Sequence, residues 1–425
     1  MNPFNLIRIL LSVSFLCTFA AAQSIAPVEQ KLLENVDKNA AAAVRFLGEI
    51  VDIDSPTEDI QGVKRVGAAF ARELEAMGMK VRWVDMPAGT GRAGHLIAET
   101  AGTSGKRLLL LGHLDTVLKG ERFRREGDRG FGTGIADMKG GDVIALFALK
   151  TLHEAGMLKN TRIIFMLTGD EEDSCEPVSV CRGDMIEAAK RSDLALSFEG
   201  SIRDTATVGR RGASSWTLEI EAKTGHSSGI FRESMGYGAI FEASRILNEF
   251  RNQLGGEKYL TFNPSLVVGG TTASAKNAEG SASGKTNVVP AKVVVDGDLR
   301  FISEEQKERA RAKMREIVSK GLPGTTAKIT FFDGIPAMTP VEGNYALLRE
   351  LDKVSRDLGF GPVEALDPGD RGAGDIAFIS HLIPGLDGIG IGGGSNSHAK
   401  GESARLDTLP MLTKRAAVLI YRLTR

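Results

Sequence analysis

The stretch Leu108–Thr116, LLLLGHLDT, does most to fix what this chain can fold into. Four consecutive leucines after Lys106 and Arg107 are too few to cross a membrane and suit a strand buried on both faces. The run breaks at Gly112, and His113 and Asp115 follow. Thr161–Leu167 (TRIIFML) repeats the pattern and runs into Asp170, Glu171, Glu172 and Asp173. Asp193–Phe198 (DLALSF) repeats it again and runs into Glu199. One buried strand ending in a histidine is equally well a packed turn. Three that each end in an imidazole or a carboxylate describe an open α/β sheet with its chemistry at the carboxyl ends of the strands. A row of acidic residues is usually a solvated loop, but like charges held together at a pocket need cations. The recurrence therefore predicts one shared metal site.

Around these strands the periodicity is helical over Val28–Ile53, Gly62–Met77 and Met138–Gly156, with short strands at Lys80–Val84 and His95–Glu99. Gly130–Asp142 (GFGTGIADMKGGD) is glycine-rich, but Asp137 stands where a dinucleotide fingerprint needs its third glycine. Asp137 is instead placed at the N-terminus of the following helix, where free N–H groups favour its ionised form. His95 and His153 read as packed or solvent-facing rather than as ligands. Composition shifts near Gly209. Strands at Ser214–Lys223, Leu266–Val268, Val293–Arg300 and Ala327–Phe332, with helices at Gly238–Leu254 and Glu304–Val318, give a β-α-β-β-α-β order. The parallel pattern resumes with a helix at Tyr345–Leu358, strand-like Gly388–Ile391 and a final helix at Leu409–Leu423. A length of 425 residues also favours two domains. The expected fold is α/β: a catalytic domain with a mixed, mostly parallel sheet over residues 23–208 and 329–425, and an inserted two-layer α+β domain over 209–328.

The first residues stand apart from that fold. ILLSVSFLCTFAAA is an apolar run of signal-peptide length behind one positive charge, and Ala20-Ala21-Ala22 offers a cleavage site. Residues 1–22 are thus expected to be a signal peptide, and the mature protein to be secreted or periplasmic and free of the membrane. Export leaves Cys175 and Cys181 in an oxidising compartment, as a small-loop disulfide or two free thiols, with the disulfide favoured. A formal net charge of −1 argues against a nucleic-acid partner.

Five motifs then occur in order: HLDT at His113–Thr116, GIADMKGG at Gly134–Gly141, GDEE at Gly169–Glu172, SFEG at Ser197–Gly200, and His398 in GGGSNSHAKGE. Together they resemble the glutamate carboxypeptidase and aminoacylase family of di-zinc exopeptidases, nearest to the bacterial carboxypeptidase G type, over almost the whole mature chain. The resemblance implies two Zn²⁺ per chain, with His113 and Glu199 on one, Glu172 and His398 on the other, and Asp137 bridging. It makes Asp115 the acceptor that orients His113, and Glu171 the general base that takes a proton from the attacking water and passes it to the leaving amine. It makes the insert a lid that also pairs two subunits, with His226 supporting the oxyanion in the other subunit's site. Asn287 in TNVVPA and Arg300 in GDLRF match positions that grip the substrate's free carboxylate, a task suited to an arginine fork. Gly374 and Asp375, in GAGD, match a late glycine-rich motif that lines or braces the site.

The implied activity is hydrolysis of the amide bond before a C-terminal residue, glutamate first, in a peptide or N-acyl amino acid with a free carboxylate, by a homodimer. An N-acyl amino acid deacylase is the alternative. A single-zinc aminopeptidase and a catalytically inactive binding protein are the remaining readings.

Overall fold

The computed structural model describes residues 25–425 except Asn277, so the expected signal peptide lies outside the described residues. The chain enters through helices α1 (Pro27–Val51) and α2 (Ile60–Ala76) and strands β1 (Lys80–Val84), β2 (His95–Glu99) and β3 (Ser104–His113). Helix α3 (Gly140–Glu154) and strands β4 (Thr161–Thr168) and β5 (Leu194–Ser197) follow. The insert contributes β6 (Gly212–Ala222), α4 (Ala239–Leu254), β7 (Thr261–Gly270), β8 (Lys292–Phe301), α5 (Glu304–Ser319) and β9 (Thr325–Asp333). Helix α6 (Glu342–Asp357), strand β10 (Gly385–Leu386) and helix α7 (Thr408–Leu423) complete the first unit.

The main sheet has the order β1-β2-β4-β3-β5-β10. Strand β3 runs parallel to β4 and β5, β10 is parallel to β5, and β1 and β2 form an antiparallel edge. The four leucines of β3 are buried because both faces are covered. Leu108 and Leu110 join the core under α1, α3 and α7, while Leu109 and Leu111 join a second cluster with Met166, Met185 and Ile376. Register then decides where the chemistry sits. His113 pairs with Thr168, and Leu111 pairs with Ser197, so β3 and β4 end level, β5 ends two residues earlier, and their following loops meet at one edge.

The insert is an antiparallel sheet of order β7-β8-β6-β9 with α4 and α5 on one face. Its core holds Leu218, Ile246, Val295 and Trp216, whose ring meets Phe250 edge-on at 5.9 Å. Strand β9 continues to Asp333 and so crosses residue 328, where the sequence placed the return to the first unit. A hairpin of Thr272–Lys276 and Glu279–Ser283, unread in the sequence, is built from alanine, serine and threonine with no apolar alternation. The expected strand at Gly388–Ile391 is instead an irregular segment after the short β10. Gly388 has φ 69°, and Gly390 passes so close to the Phe198 carbonyl that a Cβ there would overlap it. Cys175 and Cys181 are disulfide-bonded.

Candidate metal centre

His113 ends β3 with its side chain buried, and its Nε2 faces two carboxylates: Asp137 Oδ1 at 3.3 Å and Glu199 Oε1 at 3.9 Å. The other carboxylate oxygen of Asp137 lies 3.1 Å from His398 Nε2, which in turn lies 3.0 Å from Glu172 Oε2. Asp137 thus divides its two oxygens between two imidazoles, each with a second carboxylate. This is the arrangement a bridging carboxylate would take between two cations. Oxygen Oε1 of Glu172 is buried without a hydrogen-bond partner, and one ligand atom each from His113, Asp137 and Glu172 fall within 4.8 Å of one another. Imidazole and carboxylate donors suit a divalent transition metal and need no thiolate. The residues present fit a pair of such ions.

The charge balance points the same way. Burial and the neighbouring carboxylates push Glu172 up to about 9, against the opposing pull of His113. Burial, with Asp375, Glu199 and Glu172, likewise drives Glu171 well above the usual carboxylate range. Burial works against ionised Asp137, but His113 and His398 hold it far below its ordinary value. Carboxylates that can ionise together only by repelling one another are relieved by a bound cation.

Asp115 does more than orient the first histidine. The Nδ1 of His113 is 3.0 Å from the main-chain oxygen of Asp115 and 3.4 Å from its carboxylate, so the backbone takes the nearer share. The carboxylate itself accepts from the main-chain N–H groups of Glu171 and Glu172, both at 3.1 Å, and from Thr57 Oγ1 at 2.7 Å. It therefore pins the turn that carries the expected base and one expected ligand. Asp137 lies three residues before α3 rather than at its first turn, inside a wide turn over Ile135–Lys139. That turn is tied from a distance: Glu402 accepts from the N–H groups of Gly134, Ala136 and Asp137 at 2.7, 2.9 and 3.0 Å. His398 sits in the same glycine-rich loop as Glu402, half exposed and in the left-handed region at φ 63°, a conformation that recurs at functional sites.

Two buried arginine networks under this edge escaped the sequence reading. Arg182 donates to Asp375 Oδ1 at 2.8 Å, Asp170 Oδ1 at 2.7 Å, the Asp170 carbonyl at 3.0 Å and Ser174 Oγ at 2.8 Å. Thr168 Oγ1 adds a bond to Asp375 Oδ2 at 2.7 Å. Asp375 therefore braces the end of β4. Arg210 pairs with Asp387 and donates to the carbonyls of Gly372 and Ala373, and a Cβ at Gly374 would overlap its guanidinium. Gly374 thus makes room for an arginine. Both Arg210 and Arg371 approach Glu199 Oε2, each at 3.8 Å. His95, too, is fully buried, with Nε2 2.7 Å from the Cys181 carbonyl.

The substrate-side candidates of the insert stand apart. His226 is exposed and paired with Ser228 Oγ at 2.9 Å, Arg300 is paired with Asp298 at 3.0 Å, and Asn287 is exposed with its carbonyl bonded to Ser227 N. Among the described residues, none of the three bonds to the cluster around Asp137.

A sequence model described as peptidase family M20/M25/M40 matches residues 109–422, which span β3 through α7 and every residue of the cluster. The chain belongs to this family. It is accordingly a hydrolase of a metal-dependent peptidase family. It is 28% identical to carboxypeptidase G2 of Pseudomonas sp. (strain RS-16), over 97% of this chain and 96% of that protein. A succinyl-diaminopimelate desuccinylase of Cupriavidus pinatubonensis is 28% identical over 57% of this chain and 64% of that one. The crystal structure of aminopeptidase PepT from Bacillus cereus superposes with a TM-score of 0.71 at 19% identity, covering 91% of this chain and 99% of that one, a likeness of fold.

Proposed function

We propose that this member of the family is a zinc-dependent exopeptidase that hydrolyses the amide bond before a C-terminal amino acid, glutamate first. One observation carries the reading: a histidine-and-carboxylate pair on each side of Asp137, with Glu171, whose charge acts on both histidines, on a turn fixed by Asp115. Bound divalent cations would supply Lewis-acid activation of water and of the scissile carbonyl. Glu171 is the general base, and burial among carboxylates raises its affinity for the proton it must accept and then deliver to the leaving amine nitrogen. His113, Glu199, Glu172 and His398 would hold the cations, with Asp137 shared between them. His226, Asn287 and Arg300, on the insert, are assigned to the oxyanion and to the free carboxylate of the substrate.

Full-length likeness to a carboxypeptidase supports the exopeptidase reading. Likeness to desuccinylases supports the second, cleavage of an N-acyl amino acid by the same machinery. The leader-like first residues and the Cys175–Cys181 disulfide support export to the periplasm or beyond. Exposed Ile240, Phe241 and Val267 on the insert, with strand β7 at a sheet edge, support a homodimer formed through that unit.

The test is Glu171→Gln assayed on dipeptides and N-acyl amino acids by released amino acid, with metal counted in the same preparations. Turnover is expected to fall by about 10³-fold or more while metal content stays near two per chain. Activity close to wild type in that variant would sink the mechanism.

A further inference from the structure

Among the described residues, Arg371 is the arginine at this edge with the least of its charge matched. Its side chain is 13% exposed, its Nε and one terminal nitrogen, Nη2, are buried without hydrogen-bond partners, and its nearest carboxylate, Glu199 Oε2, stands off at 3.8 Å. The other two buried arginines differ. Arg182 has four donors matched by Asp170, Ser174 and Asp375, and Arg210 is bonded through Nε and Nη1 to Asp387 and two loop carbonyls, which leaves its Nη2 without a partner. Arg210 also already approaches the same oxygen of Glu199, so a counter-charge for that carboxylate is present without Arg371.

The two unpartnered groups of Arg371 lie along one edge of the guanidinium, the edge that pairs side-on with a carboxylate through two parallel N–H···O bonds. A buried guanidinium left with free N–H groups is costly and is offset by an anion that arrives. The loop that presents it is rigid at the next two residues, because Arg210 holds the carbonyls of Gly372 and Ala373. This is a preformed receptor beside the metal ligands, on the opposite unit from Arg300.

We propose that Arg371 is a specificity-determining residue that receives a second carboxylate of the substrate, so that the protein selects dicarboxylic substrates. This rests on the exopeptidase reading for its assay. The second carboxylate can come from the side chain of the released amino acid or from the far end of the acyl group, and both present the same chemistry to the guanidinium. Arg300 remains the candidate for the α-carboxylate.

The test uses the full-length metal-loaded protein and two matched substrate pairs: Ala-Glu against Ala-Gln, and N-succinyl-alanine against N-butyryl-alanine. The wild type is expected to prefer the acidic member of one pair, which identifies the source of the carboxylate. Arg371→Ala is expected to lower that acidic-over-neutral ratio of kcat/KM by about 100-fold, mostly through KM, and Arg371→Lys to restore part of it. Metal content is measured on each variant. No acidic preference in the wild type, an equal loss on both members of a pair, or loss of metal from Arg371→Ala would each overturn the assignment, the last two by making Arg371 a counter-charge for Glu199. If the wild type cleaves none of the four, the exopeptidase reading fails, and calorimetric binding of glutarate decides Arg371 alone. Weaker binding to Arg371→Ala supports the receptor, and equal binding overturns it.

Discussion

Replacing Arg182 with methionine isolates one buried charge balance beneath the site. The guanidinium is 1% exposed and sits between Asp170, fully buried, and Asp375. Four of its donors are satisfied, two by those carboxylates. Once they are gone, Asp170 Oδ1 has no hydrogen bond left among the described residues, Asp170 Oδ2 already lacks one there, and the Asp375 carboxylate keeps that from Thr168. Removing one partner from a buried ion pair costs about 3–5 kcal/mol, because the remaining charge stays desolvated. At roughly 2–4 °C per kcal/mol for a unit of this size, the melting transition should fall by about 10 °C. Calorimetry and urea denaturation of Arg182→Met measure it. Adding Asp170→Asn and Asp375→Asn removes the orphaned charges and should return much of the loss. A single variant within about 1 kcal/mol of wild type, or a triple variant worse than the single, would refute the argument that Arg182 acts by neutralising these two carboxylates.

Gly112→Ala places a Cβ against Asp142 Oδ1 and within 2.9 Å of Leu167, one residue before His113. It should cost about 1–3 kcal/mol and lower metal affinity together, read by denaturation and metal titration. Dialysis against a chelator should abolish hydrolysis and lower the melting temperature, and added Zn²⁺ should restore both; full activity in a preparation free of metal would refute metal dependence. Asp193 is held at about 2 by its hydrogen bonds from Arg107. Its folded value lies below its unfolded one, so its stabilisation is complete above about pH 4 and fades as pH falls towards 2. Stability curves of wild type and Asp193→Asn should therefore converge at the acid end, with a gap under about 1 kcal/mol at neutral pH for this partly exposed pair.

The parts of the fold that were legible in sequence are those whose burial leaves a period. Leu108–Leu111, Thr161–Thr168 and Leu194–Ser197 are packed on both faces and read as apolar runs, and their ends at one sheet edge place His113, Glu172 and Glu199 together. What escaped is non-local. Arg182 meets Asp375 across 193 positions and Arg210 meets Asp387 across 177, and no spacing marks such pairs. The segment Gly388–Ile391 is apolar enough for a strand, yet its glycines serve close approach to Phe198 rather than ladder pairing. The hairpin at Thr272–Ser283 is held by hydroxyl pairs, Thr272 with Ser283 and Ser274 with Ser281, and hydroxyl pairing leaves no hydrophobic trace. Asp137 drew notice as a helix cap, whereas its main chain is set by Glu402, 265 positions on.

That last bond has a consequence in time. Glu402 accepts from three N–H groups of the turn at Asp137, those of Gly134, Ala136 and Asp137, from a point in the chain beyond every candidate ligand. A chain growing or threading from its N-terminus holds all five candidate ligands by His398 and still lacks the fastener that holds the main chain at Asp137. The backbone around Asp137 is therefore fixed only once the segment around Glu402 has docked. Because truncation before Glu402 would also strip α7 from the core, Glu402→Ala is the change that isolates the fastener: it should leave the sheet folded and weaken metal binding.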